Sequence, residues 1–333
     1  MASHTQIWPA EWAPHSALWA GWPRLPQEWG TAFEPAQREI TAVIRTLSVH
    51  VPVRLAVGSA AAQSSSRAML DQAADLRRIP TGDIWLRDTG PVITSAGASM
   101  QANLFDFNGW GGKYDMPGDR ETASAIADEE RIQARRHGFI LEGGAVDGDG
   151  TGRVLTTRSC LLNTNRNAKW SISDAEIALE RGLGAREVIW LDEGLMNDHT
   201  DGHIDNVARF IAPGHVVCQR ASEPGDPQRA RLRAVEDGLR AAGLSVTVVP
   251  APLPVFDEDA VLPASHANFV LTNGLCLVPE FDPHTAQAAC AILADLLPGR
   301  RVVSLPSRNI LAGGGSFHCM TCHVPAARRG APT

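Results

Sequence analysis

The segment H-I-D-N-V-A-R-F-I-A-P-G-H-V-V (residues 203–217) carries the pattern from which the architecture can be inferred. A polar cluster runs directly into a β-branched stretch, a Pro-Gly turn follows, and a second β-branched stretch begins after the turn. Comparable clusters recur at intervals of 54, 61, 65 and 51 residues, each close to a fifth of the chain. The clusters lie at Asp88, Glu142, His203, Asn268 and Cys319. This recurrence predicts a fivefold array of strand-and-helix units.

Helical patterns fall between the clusters, so each unit would contribute strands and one covering helix. The predicted helices cover residues 35–48, residues 173 to 182 or 184 after a capping box at Ser173 and Glu176, a segment opened by Asp226-Pro227, and residues 283–297 after Asp282. A doubly wound Rossmann sheet would also alternate strands and helices, but it ranks second because no G-x-G-x-x-G follows a first strand. The sequence therefore predicts a single α/β domain over residues 1–333.

The composition is that of a globular protein, since 44% of the 333 residues are hydrophobic and 20% are charged. No apolar run approaches the ~18 residues of a membrane span. The N-terminus also lacks the pattern of a secretory signal, which predicts a cytoplasmic protein with no membrane partner. A formal charge of −7 without a Lys/Arg-rich run argues against nucleic acid and favours a small cationic substrate. The six scattered cysteines are expected to be free thiols.

The segment I-L-A-G-G-G-S-F-H-C-M-T-C-H (residues 310–323) has four interpretations. C-x-x-C-H is the haem-attachment signature, but c-type haem requires an export signal. A redox pair would need a thioredoxin-like βαβ pattern, and a zinc site would need a second pair of ligands. The remaining two are a buried structural cysteine and a catalytic thiolate placed by the glycine turn. We favour Cys319, directly after the turn, as nucleophile and Cys322 as bystander.

The polar segment N-D-H-T-D-G-H-I-D-N (residues 197–206) offers a proton-transfer partner for a thiol. If it runs as a strand, His203 and Asp205 share one face. The two side chains could then act as a general acid/base and a carboxylate aimed at the same pocket. Together with His199 they could instead bind a metal, or the segment could be a polar loop whose side chains satisfy one another.

Two further acidic clusters, D-I-W-L-R-D (residues 83–88) and L-E-G-G (residues 141–144), precede this segment in the sequence. Alternation along a strand would put Asp83, Trp85 and Arg87 on one face and Asp88 in the following turn. In purely structural roles, Asp88 would form a turn and Trp85 would join the core. Glu142, which ends an apolar run before two glycines, is harder to explain in that way. Several carboxylates with one cysteine and one histidine suit a guanidinium, whose rigid fork of N–H donors matches bidentate carboxylates.

The chemistry of a guanidinium fits this set of groups. Its carbon is a poor electrophile, so a strong nucleophile, a fixed orientation and protonation of the departing nitrogen are required. Neighbouring carboxylates would raise the pKa of the free thiol, whereas a bound cation would lower that pKa. We therefore expect the thiolate to form fully only in the substrate complex.

Ordered motifs along most of the chain resemble those of the agmatine deiminase and bacterial peptidylarginine deiminase group of the guanidine-modifying (pentein) superfamily. The motifs are W-P-A-E-W-A-P-H (8–15), D-I-W-L-R-D-T-G-P (83–91), F-N-G-W-G-G-K-Y (107–114), L-E-G-G-A-V-D-G-D-G-T-G (141–152), C-L-L-N-T-N-R-N (160–167), T-D-G-H-I-D-N-V-A-R-F (200–210), P-A-S-H-A-N-F (263–269) and G-G-G-S-F-H-C-M-T (313–321). The resemblance implies a fivefold pseudosymmetric α/β propeller of ββαβ-type units. It also implies hydrolysis to a ureido product and ammonia, with no metal and no organic cofactor.

Matching positions of these motifs imply the site residues. Cys319 would be the nucleophile and His203 the general acid/base, with Asp88 and Asp205 clamping the guanidinium. Glu142 would support His203 or the pocket. The candidate substrate-binding residues are Trp85, Asp83, Asp201 and Gly314.

Five positions depart from the usual motifs of the family. Ser316-Phe317 replaces Asn-Ile, Cys322 replaces Gln, His266 replaces Tyr, and His199 stands where an acidic residue is common. None is a catalytic position, and all fall near the expected far end of the substrate. Deiminase chemistry is therefore better indicated than agmatine itself.

The first hypothesis is deimination of agmatine to N-carbamoylputrescine plus ammonia through an amidino-thioester on Cys319, a reaction that belongs to putrescine biosynthesis. The alternative is deimination of another guanidine compound, such as peptidyl-arginine, an arginine derivative or a guanidinoalkylamine. From a different class, the chain could be a metal or redox protein using Cys319, Cys322 and His323, or a binding module that has lost turnover. The implied fold permits a homo-oligomer without requiring one.

Overall fold

Five small β-sheets form the frame of the molecule. The structure is a computed structural model that describes residues 6–327. The predicted domain extended over residues 1–333, so its two ends lie outside the described residues. Along the described part of the chain, none of the helices combines the length and apolar character needed to cross a membrane.

The strands and helices follow one another in a regular order. The strands are β1 (His15–Gly21), β2 (Val53–Ala56), β3 (Asp75–Arg77), β4 (Val92–Ala96), β5 (Ser99–Asp106), β6 (Gln133–Ile140), β7 (Val146–Gly148), β8 (Arg153–Thr157), β9 (Glu187–Leu191), β10 (Ala208–Ala212), β11 (His215–Arg220), β12 (Ser245–Pro250), β13 (Phe256–Asp257), β14 (Ala260–Val261), β15 (Val270–Thr272), β16 (Leu275–Glu280), β17 (Arg301–Pro306) and β18 (Thr321–Pro325). The α-helices are α1 (Pro26–Trp29), α2 (Phe33–Ser48), α3 (Ala60–Leu70), α4 (Leu86–Thr89), α5 (Gly109–Gly112), α6 (Asp119–Glu130), α7 (Arg158–Leu161), α8 (Ile172–Leu183), α9 (Arg229–Ala241), α10 (Pro283–Leu296) and α11 (Arg308–Leu311). Three 3-10 turns cover Gly30–Ala32, Gly143–Ala145 and Ile204–Asn206.

Each of these five sheets is one ββαβ unit, in which an antiparallel pair is followed by a covering helix and a parallel strand. The described residues also contain a separate two-stranded sheet, β13-β14. Four units are continuous in sequence: β4-β5-α6-β6, β7-β8-α8-β9, β10-β11-α9-β12 and β15-β16-α10-β17. The fifth is assembled from both ends of the chain, because β18 pairs antiparallel with β1 and β2 joins β1 in parallel after α2. The predicted fivefold α/β array is confirmed.

Neighbouring units share their apolar contacts. Helix α10 buries Ala289 and Leu293 against Cys276 and Val278 of β16. The same cluster includes Val217 from the preceding unit. Burying one such Leu or Val side chain contributes roughly 1.5–3 kcal/mol. The shared cores therefore hold the units together and fix how their ends meet.

Short turns, rather than strands, carry the polar clusters. Asp83 and Trp85 lie in a bend that leads into the single helical turn α4, so the strand predicted over residues 83–87 is wrong. Likewise, His203 and Asp205 are at and within the 3-10 turn that precedes β10, not in a strand. Turns at residues 143–145, 266–267 and 317–320 precede β7, β15 and β18 in the same way. A turn lets successive side chains point in several directions, so one unit can supply more than one polar group to a common site.

Two helix starts also differ from the prediction. The capping box of α8 is formed by Ser171 and Asp174, whose side chains each accept the other's backbone N–H, and not by Ser173 and Glu176. Both pairs fit the S-x-x-acid pattern, so the sequence alone allowed either start. Helix α9 begins at Arg229, after a turn in which Asp226 accepts the backbone N–H two residues ahead.

Candidate active site

A cavity of about 150 Å³ lies among the turns that precede β4, β10 and β18. Its wall combines aromatic rings with carboxylates, and no Lys or Arg lines it within residues 6–327. The aromatic and acidic residues of the lining are Trp29, Trp85, Trp110, Tyr114, Glu28, Asp83 and Asp88. Aromatic faces and carboxylates both attract cations. The cavity is therefore built for a small positively charged molecule.

Cys319 reaches this cavity from the turn of residues 317–320. The preceding glycines leave room for an aromatic wall: a Cβ at Gly315 would lie 2.6 Å from Cζ3 of Trp85 and 3.1 Å from Cβ of Cys319. Any side chain at residue 315 would separate the indole from the thiol. The glycine turn thus brings an aromatic face against the candidate nucleophile.

The thiol of Cys319 is buried among polar groups. Its Sγ lies 3.2 Å from Nδ2 of Asn268 and 3.8 Å from Oδ2 of Asp205. Burial and the carboxylates of Asp205 and Asp88 hold the pKa of the thiol well above its ordinary value. A cation bound by these carboxylates would offset their charge and lower that pKa. Binding of a cation here would therefore favour ionisation of the thiol.

Two buried carboxylates near the thiol, those of Asp88 and Asp205, have the charge to bind such a cation. Asp88 accepts the backbone N–H of Gly144 at 2.9 Å and Nε1 of Trp110 at 2.8 Å, which fixes its orientation. Burial raises its pKa. Asp205 is fully buried, and its Oδ1 has no hydrogen-bond partner within residues 6–327. A buried acceptor without a partner is costly, so a donor from a bound guanidinium would relieve it.

The imidazole ring of His203 is fully buried. Its Nδ1 lies 3.7 Å from Oδ1 of Asp88, and neither ring nitrogen has a hydrogen-bond partner in the described part of the chain. Although burial opposes the charged ring, Asp88, Cys160 and Glu142 hold the pKa of His203 well above its ordinary value. A Cβ at Gly144 would approach Nδ1 of His203 to 2.6 Å, so only glycine fits beside the ring. The electrostatics therefore favour the protonated ring beside Asp88, which itself lines the cavity.

Glu142 lies close to His203, with a carboxylate oxygen within 4.8 Å of a ring nitrogen. Nε of Arg166 donates to both its oxygens at 2.9 Å, and Nη1 of Arg166 donates to Asp201 at 2.6 Å. The side chains of Glu142 and Arg166 are 0% exposed, so the pair is a buried ion pair. The prediction that Glu142 supports His203 or the pocket stays a prediction, and the arginine that pairs with its carboxylate was not predicted.

The pair predicts a large loss of stability in Arg166→Met. This variant leaves the Glu142 carboxylate buried without its cation, a situation that costs about 3–5 kcal/mol. Arg153→Met is the matched control, because Arg153 pairs with Glu187 at 2.9 Å but both side chains are half exposed. Its loss is expected to stay within about 1 kcal/mol. Urea unfolding measures both free energies, and equal losses would contradict the role given to Arg166.

The predicted substrate-binding residues separate into two groups. Trp85, Asp83 and Gly314 line the cavity. Asp83 accepts Nε1 of Trp29 at 3.1 Å, and burial raises the pKa of its carboxyl to about 7. Asp201 instead binds Lys113, Asn165 and Arg166, so it anchors the wall behind Glu142.

Three further residues of the site had only weak sequence signals. Asn268 contacts Cys319 and marks one of the five clusters, but nothing in that pattern assigned it a role. Trp110, which holds Asp88, lies within a glycine-rich motif in which φ is +53° at the tryptophan. Glu28 lines the cavity from α1 and had no motif around it.

The groups proposed for a metal or redox centre have other partners. Within residues 6–327, one trio of donor atoms lies within 4.8 Å of one another, those of Glu142, Cys160 and His203. Both oxygens of Glu142 already accept from an arginine, which disfavours a cation there. Cys322 contacts the carbonyl of Pro91, and His323 binds an arginine and a backbone carbonyl. The donor set does not fit a metal ion.

Comparisons with known proteins agree with this geometry. A family model described as Porphyromonas-type peptidyl-arginine deiminase matches residues 7–325. The chain is 36% identical to an agmatine deiminase of Ectopseudomonas mendocina, over 96% of this chain and 95% of that protein. A substrate-bound agmatine deiminase of C. jejuni superposes with a TM-score of 0.92 at 26% identity, covering 99% of each chain. An agmatine deiminase of Enterococcus faecalis gives 0.91 at 28% identity, covering 96% of each.

Proposed function

The chain belongs to the Porphyromonas-type peptidyl-arginine deiminase family, and we propose that it hydrolyses agmatine to N-carbamoylputrescine and ammonia. The family assignment carries the reaction type, which is hydrolysis of a guanidino C–N bond. The choice of agmatine rests on the cavity. Its lining offers carboxylates for two positive groups, the guanidinium and the primary ammonium.

The absence of a free cation in the lining favours agmatine over arginine. A free amino acid would need an Arg or Lys for its α-carboxylate, and within residues 6–327 the cavity lining contains neither. The candidates Arg87, Arg166 and Arg209 are each paired with buried carboxylates. Glu28 and Asp83 would instead receive the ammonium end of agmatine.

The first half of the proposed reaction forms a covalent intermediate. Asp88 and Asp205 hold the guanidinium in one plane, and its charge favours the thiolate of Cys319. The thiolate adds to the guanidinium carbon to form a tetrahedral intermediate. His203 then donates a proton to one nitrogen, which leaves as ammonia while the C–S bond remains. The product of this half is an amidino-thioester on Cys319.

The second half restores the enzyme. His203, now neutral, accepts a proton from water as the oxygen attacks the amidino carbon. Collapse of this second tetrahedral intermediate breaks the C–S bond and releases the thiolate. Its hydroxyl proton passes to solvent, where it converts the ammonia to ammonium, so that a neutral ureido group stays on the product. No redox step and no co-reactant other than water is needed.

Ammonia release from a substrate panel tests the proposal. Chelator-treated protein would be incubated with agmatine, arginine, a blocked arginyl peptide, shorter and longer guanidinoalkylamines, and butylguanidine, which lacks the ammonium. We expect agmatine to give kcat/KM at least about 100-fold above arginine, because the missing cation leaves a carboxylate unpaired. Butylguanidine should fall well below agmatine if Glu28 and Asp83 bind the ammonium.

Each other outcome has a definite meaning. Faster turnover of the peptide or of arginine would keep the reaction type and replace agmatine as substrate. If no substrate of the panel gave ammonia, the result would contradict the proposed activity and favour a binding role. A requirement for added metal, restored after chelation, would contradict the metal-free mechanism.

We also propose that the enzyme acts in the cytoplasm on a free small molecule. All six cysteines, which lie within residues 6–327, are unpaired thiols, as is usual in reducing compartments. The negative net charge would further attract a cationic substrate. Cell fractionation followed by the ammonia assay would test this location.

A further inference from the structure

His318, the residue before the nucleophile, is held between two carboxylates. Its Nδ1 lies 2.7 Å from Oδ2 of Asp205, and its Nε2 lies 2.6 Å from Oε1 of Glu11. The ring is 1% exposed, so water does not supply other partners. A carboxylate oxygen accepts hydrogen bonds, so both ring nitrogens must donate. This geometry requires an imidazolium wherever both carboxyl groups are ionised.

Glu11 is itself fixed as an anion. Nη2 of Arg87 forms an ion pair with its Oε1 at 2.8 Å, and Arg209 donates to its Oε2. Although burial opposes ionisation, Arg209, His318 and the neighbouring cations hold the pKa of Glu11 well below its ordinary value. Nε of Arg209 also donates to Asp147 at 2.9 Å. The carboxylate of Glu11, which contacts Nε2 of His318, is thus ionised and held in place.

We propose that His318 is a positioning residue, an imidazolium that holds Asp205 ionised and oriented for the guanidinium. It binds Oδ2 of Asp205 and leaves Oδ1, which has no partner within residues 6–327, for the substrate. It also places a positive charge on Oδ2, the carboxylate oxygen that lies 3.8 Å from Sγ of Cys319. The inference rests on the proposed deiminase reaction and extends it to a residue that does not touch substrate.

The charges around Asp205 agree with this role. Although burial opposes ionisation, the hydrogen bond and charge of His318 lower the pKa of Asp205, with further effects of His203 and Arg209. Without the imidazolium, Asp205 would face the anionic Asp88 and the thiol of Cys319 with less compensation. Its pKa would then rise, and the thiolate beside it would be harder to form.

The histidine on the other side of Glu11 provides a comparison. His323 lies 3.4 Å from Oε1 of Glu11, and Arg87 donates to its Nδ1 at 2.5 Å. Burial, His15 and Arg87 outweigh Glu11 and hold the pKa of His323 well below its ordinary value, so this ring is neutral. It belongs to the same buried cluster, and its own hydrogen bonds go to Arg87 and a backbone carbonyl rather than to Asp205.

The test separates the charge of His318 from its hydrogen bond. In His318→Asn the amide nitrogen can replace Nδ1 as a donor to Asp205, but the positive charge is lost. The acid limb of kcat/KM is expected to move up by about one pH unit and to steepen as Asp205 begins to titrate with Asp88. Glu11→Gln should move the limb in the same direction, because it removes the anion that faces Nε2 of His318. His323→Asn, the matched control, should leave the limb in place.

A second measurement does not depend on turnover. The rate at which iodoacetamide alkylates Cys319, followed by mass spectrometry of its peptide across pH, reports the thiolate. We expect about tenfold slower alkylation at pH 8 in His318→Asn than in the wild type or His323→Asn, because a unit rise in the thiol pKa reduces the thiolate tenfold. Unchanged alkylation and an unchanged acid limb would overturn the inference, as would equal effects in His323→Asn. If the wild type released no ammonia, the proposed function would fail, while the alkylation profiles would still decide the role of His318.

Discussion

Cys319→Ser is expected to reduce ammonia release from agmatine by at least about a thousandfold, because a serine hydroxyl is far less acidic than a thiol and the neighbouring carboxylates disfavour its ionisation. The nearest groups to the sulfur are the amide of Asn268 and the carboxylate of Asp205. The carboxylates already disfavour the thiolate, and the far less acidic hydroxyl would stay protonated even with a cation bound. Steady-state ammonia release measures the loss, and the thermal unfolding midpoint should remain within a few degrees.

Cys322→Ser is the matched control for this variant. Cys322 packs in the apolar cluster with Leu86 and Ile93, and its Sγ lies 3.4 Å from the carbonyl oxygen of Pro91. Burial raises the pKa of this thiol to about 12, so it stays protonated. We expect most of the activity to remain, with a stability loss of about 1 kcal/mol from the buried hydroxyl. Equal inactivation of the two variants would contradict the bystander role and favour a redox pair.

The fivefold architecture could be predicted because its signal is local. Each unit places a polar cluster, a β-branched strand and a turn within about 15 residues, and the intervals between clusters repeat. The same locality explains how α10 was predicted from Asp282, which caps it by accepting the N–H of Thr285 at 2.8 Å. Local patterns did not distinguish a strand from a single turn, because His203 and Asp205 are two residues apart in either conformation.

The ion pairs behind the site could not be predicted, because their partners are far apart in sequence. Glu11 and His318 are separated by 307 residues and meet only when β18 pairs with β1. Arg166 reaches Glu142 from a loop after α7, at a distance along the chain that carries no periodic signal. The motifs identified the groups proposed to touch substrate, whereas closure of the ring of units determined which charges stabilise them.

Asp88→Asn tests the clamp and is expected to lower kcat/KM for agmatine by about 10²–10³-fold, because it removes one charge from a desolvated pair with the guanidinium. Both oxygens of Asp88 accept hydrogen bonds, from Gly144 and from Nε1 of Trp110, so an amide satisfies only one of these donors. The variant also removes the carboxylate that raises the pKa of His203, which weakens the general acid. Steady-state kinetics on agmatine measure the loss.

Although Asp88→Asn should lower activity, it should raise the stability of the fold relative to wild type at neutral pH. Because the pKa of Asp88 is raised by burial, its ionisation destabilises the fold as the pH rises above the ordinary aspartate value of about 3.9. The difference in unfolding temperature, variant minus wild type, should therefore increase as the pH is raised from acid to neutral. Asp119→Asn is the control, since Asp119 is a buried carboxyl that accepts the N–H of Gly82 at 2.7 Å and whose pKa burial raises to about 6. Its kcat/KM should stay within a few fold of wild type, and an equal loss there would show that burial of charge in general, and not the clamp, limits the reaction.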